Sequence, residues 1–153
     1  MKESTNEKKM KENFLPGKIT KEGFLGSDDR HIHDIISHDK MTLDQYNISA
    51  DQIARELQNF IEEGKKGLEN KIIYKNYEIQ IVWSRGMLPS PFGDRPLQFK
   101  ITAYVTDLET KESLKFTQLS VFMIQTQGFF GGIGSSSRID PDKVIHFLRL
   151  KEQ

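Results

Sequence analysis

Three short stretches of the chain concentrate side chains able to do chemistry. The first, RHIHDIISHD at 30–39, holds His31, His33 and His38, three of the four histidines, with Asp34 and Asp39. On a helix turning about 100° per residue, His31, Asp34 and His38 fall on one side of the chain, flanking the stripe Ile32, Ile35 and Ile36. Two imidazoles and a carboxylate are a ligand set for a divalent metal such as zinc, or Asp34 could orient a general-base histidine. The spacing is not that of a His-Glu-x-x-His pair. Capping and surface roles on a short helix are the plainer reading.

The second stretch is SRGMLPSPFGDRP at 84–96, with three prolines and two glycines. Proline fixes backbone angles, so this loop has a defined shape of the kind that presents ligand-binding groups. Arg85 and Arg95 offer forked donors to a carboxylate or phosphate, and Asp94 can orient one of them. An internal Arg and Asp ion pair stapling the loop explains the same residues. The third stretch holds Gly128, Gly131, Gly132, Gly134, Ser135, Ser136, Ser137 and Arg138. Its glycines permit a nest of backbone amides for an anion, and its hydroxyls and arginine add donors. It has neither the lysine and spacing of a P-loop nor the GxGxxG of a dinucleotide site. Asp140 and Asp142 open the following helix and disfavour a phosphate at its terminus, so an anion would sit on the loop itself. The neighbouring Phe129 and Phe130 point to anchoring or recognition rather than a slack connector.

These groups are positioned by elements whose patterns can be read. Residues 1–13 are charged, with Met1 and Met10 their only apolar members, and are expected to form a flexible tail. The remainder, 14–153, is expected to form a single α+β domain. Phe14, Leu15, Phe24 and Leu25 pin an irregular segment, and Asp29 caps a short helix reaching His38. Ser49 and Gln52 form a capping box, with Ile48 and Ile53 as a hydrophobic staple, opening a helix over about 50–66. A period of two from Lys71 to Trp83 predicts a strand, and Leu97 to Val105 predicts a second. After the polar turn DLETKES, Phe116 to Ile124 reads as a third strand, apolar on both faces at its end. Asp140 and Pro141 are an N-cap and first-turn pair for a last helix carrying Val144, Ile145, Phe147 and Leu148. The expected order is α-α-β-β-β-α, a three-stranded antiparallel meander with helices mainly on one face. That meander places the loop at 84–96 and the loop after Gly128 on one rim.

The 153 residues carry 22 Lys plus Arg against 22 Asp plus Glu, so no net charge draws the chain to polyanions. The absence of cysteine removes disulfides, thiolate metal sites and cysteine nucleophiles. The longest strongly apolar run is Val121 to Ile124, which predicts no membrane span, and with no export signal a cytoplasmic location is expected. From Ala50 to Leu150 the order helix, three strands, helix is similar to that of a double-stranded-RNA-binding domain. Such domains grip phosphate with a lysine cluster opening the second helix. Here Asp140, Pro141 and Asp142 precede the single Lys143, which argues against nucleic acid. The function expected first is a binding module whose rim of Arg85, Asp94, Arg95, Gly131, Gly132, Gly134, Ser135, Ser136 and Arg138 holds an anionic ligand or protein partner. The alternative is a metal-assisted hydrolase or lyase using His31, Asp34 and His38. A third reading puts Phe92, Phe129 and Phe130 in a partner interface. Exposed sheet edges suggest a homodimer.

Overall fold

The computed structural model describes residues 5–150, with side chains from Lys8 onward. Residues 1–4 of the expected tail and residues 151–153 lie outside the described residues. The element order is α1 (Thr5–Glu12), α2 (Ile32–Tyr46), α3 (Ala50–Lys65), β1 (Ile72–Tyr74), β2 (Tyr77–Leu88), β3 (Gln98–Asp107), β4 (Ser113–Thr117), α4 (Gln118–Gln127) and α5 (Pro141–Leu148). The fold is α+β, with one antiparallel sheet in the order β1-β2-β3-β4.

The sheet has four strands rather than three, because the first expected strand folds back on itself. Lys75 takes a positive φ of 53° and the chain reverses at Lys75 and Asn76, pairing Tyr74 with Tyr77 and Ile72 with Ile79. Ile73 therefore faces solvent, while Ile72 and Tyr74 pack on the core. One sheet face buries Tyr77, Ile79, Ile81, Ile101, Ala103, Val105 and Phe116 under α3, α4 and α5. Gly64 of α3 lies against Ile79 and Ile81, so close that a Cβ there would collide with Ile81.

The run expected as the third strand divides at Thr117. Its first part is β4; the rest is helix α4. Thr117 caps that helix by accepting a hydrogen bond from the Ser120 amide at 3.0 Å, and Gly128 closes it with φ 68°. Leu119, Val121, Met123 and Ile124 are all buried, so no polar face marks a helical period, and a short apolar run of this kind reads equally as a buried strand. The two covered faces belong to a helix between two cores. Val121 and Ile124 join the main core, whereas Leu119 and Met123 join a second one with Phe14, Phe24, Leu25, Ile32, Ile35 and Phe129.

Helix α3 has both halves of its capping box, and α5 starts where Asp140 accepts from the Lys143 amide at 3.1 Å. Helix α2 begins one residue after His31, whose Nδ1 accepts from the His33 amide at 3.1 Å, so the cap is His31 and not Asp29. It also runs past His38 to Tyr46. Asp39 is buried on the apolar face of this longer helix, with Leu43 beyond it. At the other end of the chain, Thr5–Glu12 forms the helix α1. The turn bonds Asn13 to Met10 and Phe14 to Lys11 link it to the fully buried Phe14, and Met10 packs on the second core. Leu15, expected as a pin, is exposed.

Candidate functional site

The glycine and serine loop is filled by the chain's own groups. The Gly132 amide donates to the Phe24 carbonyl at 2.8 Å, and the Ile133 amide donates to the Asp28 carboxylate at 3.0 Å. One amide of the loop that the sequence offered to an external anion thus serves Asp28. Arg30 grips the same carboxylate through two bonds of 2.6 and 2.9 Å, and this contact holds the Asp28 carboxyl well below the usual range. The glycines serve the approach of this segment. A Cβ on Gly132 would collide with the Leu25 backbone, and one on Gly131 would lie 2.8 Å from the Arg138 Cα. Gly134 packs on Ser27, and the Ser135 and Ser137 hydroxyls bond each other at 2.8 Å.

Arg138 is also satisfied internally. It makes a two-pronged contact with Asp39 at 2.8 and 2.9 Å, donates to the Gly131 carbonyl at 2.8 Å and reaches Asp140 at 3.4 Å. The two main partners keep only 13% and 2% of their side-chain surface. Burial works against the guanidinium charge, and the two carboxylates outweigh it, raising its proton affinity. This ion pair ties the loop to α2.

The loop at 84–96 does meet the chain after α4, though not through arginines. Gln127 donates to Asp94 at 3.1 Å, while Phe92 packs edge-on against Phe14 at 4.9 Å and Phe129 at 5.6 Å. Phe129 and Phe130 are buried, so these aromatics anchor the protein's own loops. Arg85 sits in a β-bulge between Ser84 and Met87, and Arg95 precedes a cis proline. Both are exposed, and among the described residues neither pairs with Asp94. His31 stacks on His33 with ring centres 5.0 Å apart, while Asp34 and His38 are exposed on α2. Among the described residues, no three His, Asp or Glu side chains converge as a metal site.

A different constellation does converge. A pocket of about 300 Å³ lies between the Thr20–Phe24 segment, the outer face of β3 and β4, and Ser136 with Ser137. Its construction follows from strand alternation. Ile101, Ala103 and Phe116 point into the core, so Lys100, Thr102, Lys115 and Thr117 point outward. The register then sets Ser84 opposite Lys100 and Thr102 opposite Thr117, which gathers hydroxyls on one floor. Phe24, Leu88 and Leu119 add apolar wall, and Lys21, Lys100 and Lys115 line the pocket. Among the described residues, none of these three lysines forms an ion pair, and Lys115 lies 5.8 Å from the Tyr104 ring centre. Glu22 is the one carboxylate in the lining, and it accepts a hydrogen bond from Ser136.

Of the expected rim, Ser136 alone lines this pocket; Arg138 is turned away to Asp39. Lys100 and Lys115 stand on the polar faces of β3 and β4 and meet through the register, while Lys21 comes from the irregular Thr20–Phe24 segment. A larger groove of about 750 Å³ runs between α2, the start of α3 and the end of α4. It is chemically less distinctive, because Lys40 there pairs with Asp44 at 3.2 Å and the first amides of α3 are capped by Ser49. No family model matches this chain, and no significant similarity joins it to a curated protein or a solved structure.

Proposed function

We propose that the protein is a binding module for a small anionic ligand, held in the pocket edged by Lys21, Lys100 and Lys115. The observation that carries this reading is the convergence of three cations, unpaired among the described residues, on a pocket floored by hydroxyls. Ammonium groups without carboxylate partners are donors for an anion, and the hydroxyls of Ser84 and Thr102 add to a phosphate or carboxylate shell. A volume of about 300 Å³ suits a ligand of metabolite size. Leu88, Leu119 and Phe24 favour one with an apolar body beside its charge. Glu22 opposes an anion directly and holds the Ser136 hydroxyl, so the ligand competes with a carboxylate the chain already supplies.

Calorimetric titration with a panel of small phosphate monoesters and carboxylates tests the reading. Lys100→Gln and Lys115→Gln should each weaken binding about tenfold, the loss of one charge-assisted hydrogen bond partly screened by water. Glu22→Gln should strengthen it. Equal titration curves for wild type and the double lysine variant would overturn the proposal.

A further inference from the structure

The sheet carries a second unexplained surface, which borders the lysine pocket at Ser84 and Phe99. β1 pairs with β2 only as far as Ile79, and β4 pairs with β3 only from Thr102 onward. Beyond those limits β2 and β3 continue together as a two-stranded ribbon, from Val82 opposite Thr102 to Leu88 opposite Gln98. The ribbon and its entry expose Val82, Trp83, Met87, Leu97 and Phe99, each between 41% and 51% accessible. Trp83 is the chain's single tryptophan. It meets Phe99 at 5.3 Å with rings inclined at 61°, and the Lys65 ammonium lies 5.3 Å from its ring centre. An exposed apolar pair such as Trp83 and Phe99 beside an unpaired strand edge is the usual mark of a protein contact.

We propose that this ribbon receives an extended, acidic segment of another protein, added as a strand along the β2 edge at Gln80–Ser84. Three observations select that occupant. The edge offers backbone N–H and C=O groups that only an extended chain can match, and alternate apolar side chains of that chain would cover Trp83 and Phe99. The charges nearby are positive. Arg85 and Arg95 are exposed and, among the described residues, without ion pairs, whereas Lys65 on the tryptophan is already paired with Glu62 at 3.2 Å. The bulge between Ser84 and Met87, with Gly86 at φ 98°, ends the regular edge and confines pairing to a short segment.

The same observations disfavour two other occupants. A second copy would bring Arg85 and Arg95 against a surface of like charge. Single-stranded nucleic acid needs ring faces on which successive bases stack, whereas the Trp83 face is occupied by Lys65 and its neighbour Phe99 is inclined to it.

Trp83 emission provides the test on the intact chain. The probe is a short synthetic peptide alternating valine and glutamate, compared with a valine and lysine version and with oligouridylate. The acidic peptide should shift Trp83 emission to the blue in a saturable way and perturb the amide resonances of 80–84. Arg85→Glu, an exposed change in the bulge that preserves the fold, should weaken it at least tenfold and transfer preference to the lysine peptide. A flat titration with the acidic peptide overturns the proposal. So does tighter binding of oligouridylate, equal binding of the two peptides, or a concentration-dependent dimer that shifts Trp83 emission without peptide. Lys21 and Lys115 play no part here, so failure of this test leaves the pocket reading standing, and the reverse also holds.

Discussion

Arg138 and the lysine trio both neighbour the same serine loop, and their circumstances are opposite. Arg138 is largely buried, bonded to Asp39, Asp140 and a backbone carbonyl, and pins the loop onto α2. Lys21, Lys100 and Lys115 are exposed around a hydroxyl-floored pocket and, among the described residues, have no carboxylate partner. The contrast teaches that richness in chemical side chains does not locate a site. A buried cation must find its partners inside the fold, since leaving one of a buried pair alone is strongly destabilising. A site for an external ligand is found where charge has been gathered and left unanswered.

The comparison can be broken most forcefully at the ion pair. Arg138→Ala strands the Asp39 carboxylate in the interior and should lower unfolding stability by about 3–5 kcal/mol in urea, with anion affinity of the folded protein unchanged. A double replacement, Asp39→Leu with Arg138→Leu, should recover much of that loss, because it removes both charges. If Arg138→Ala instead left stability intact and abolished anion binding, the roles of the two regions would be reversed.

A smaller loss is expected from Gly132→Ala. Its new methyl would collide with the Leu25 backbone, at an overpacking cost of about 1–3 kcal/mol by thermal or urea unfolding. A ligand-approach glycine would show lost binding without lost stability. The Asp28 contact should stabilise at neutral pH and be lost in acid. Its native carboxyl titrates below its unfolded value, so the stabilisation is complete above the unfolded pKa of about 3.9 and is lost as the pH falls toward the depressed native value. Asp28→Asn should therefore lose stability at neutral pH and show a shallower decline on acidification, checked by unfolding between about pH 6 and pH 2.

The smallest effect on stability belongs to the lysines. Lys100→Gln with Lys115→Gln should change unfolding free energy by no more than about 0.5 kcal/mol, because no buried partner is deprived of its charge. Anion binding should fall sharply in the same variant. That separation of binding from folding is what the Arg138 variants should lack.

Much of the local structure was legible. The capping box at Ser49 and Gln52, the Asp140 and Pro141 start of α5, and the alternation from Tyr77 to Ile81 and from Ile101 to Val105 each carry their instruction within a few residues. Legibility failed where local pattern carried no period or was broken for a distant reason. The run after Thr117 is apolar on all sides, so only its caps distinguish helix from strand. The polar Asp39 on the buried face of α2 is accounted for only by its partner Arg138, ninety-nine residues away. The candidate site divided in the same manner. Ser136 was visible as a polar loop residue, whereas Lys100 and Lys115 looked like two solvated strand faces.

The sequence by itself determined the capped helices, the alternation of the strands, the absence of thiol chemistry and the overall charge balance. Each depends on composition or on neighbours within a turn or two. Tertiary structure alone decided which charges would be neutralised and which left open. Cross-strand register set Ser84 beside Lys100 and Thr102 beside Thr117, and the returning loop brought Ser136 and Ser137 over them. The same folding enclosed Arg138 with Asp39. Electrostatic partnership is a property of distance and burial, and neither is written in the order of residues along a chain.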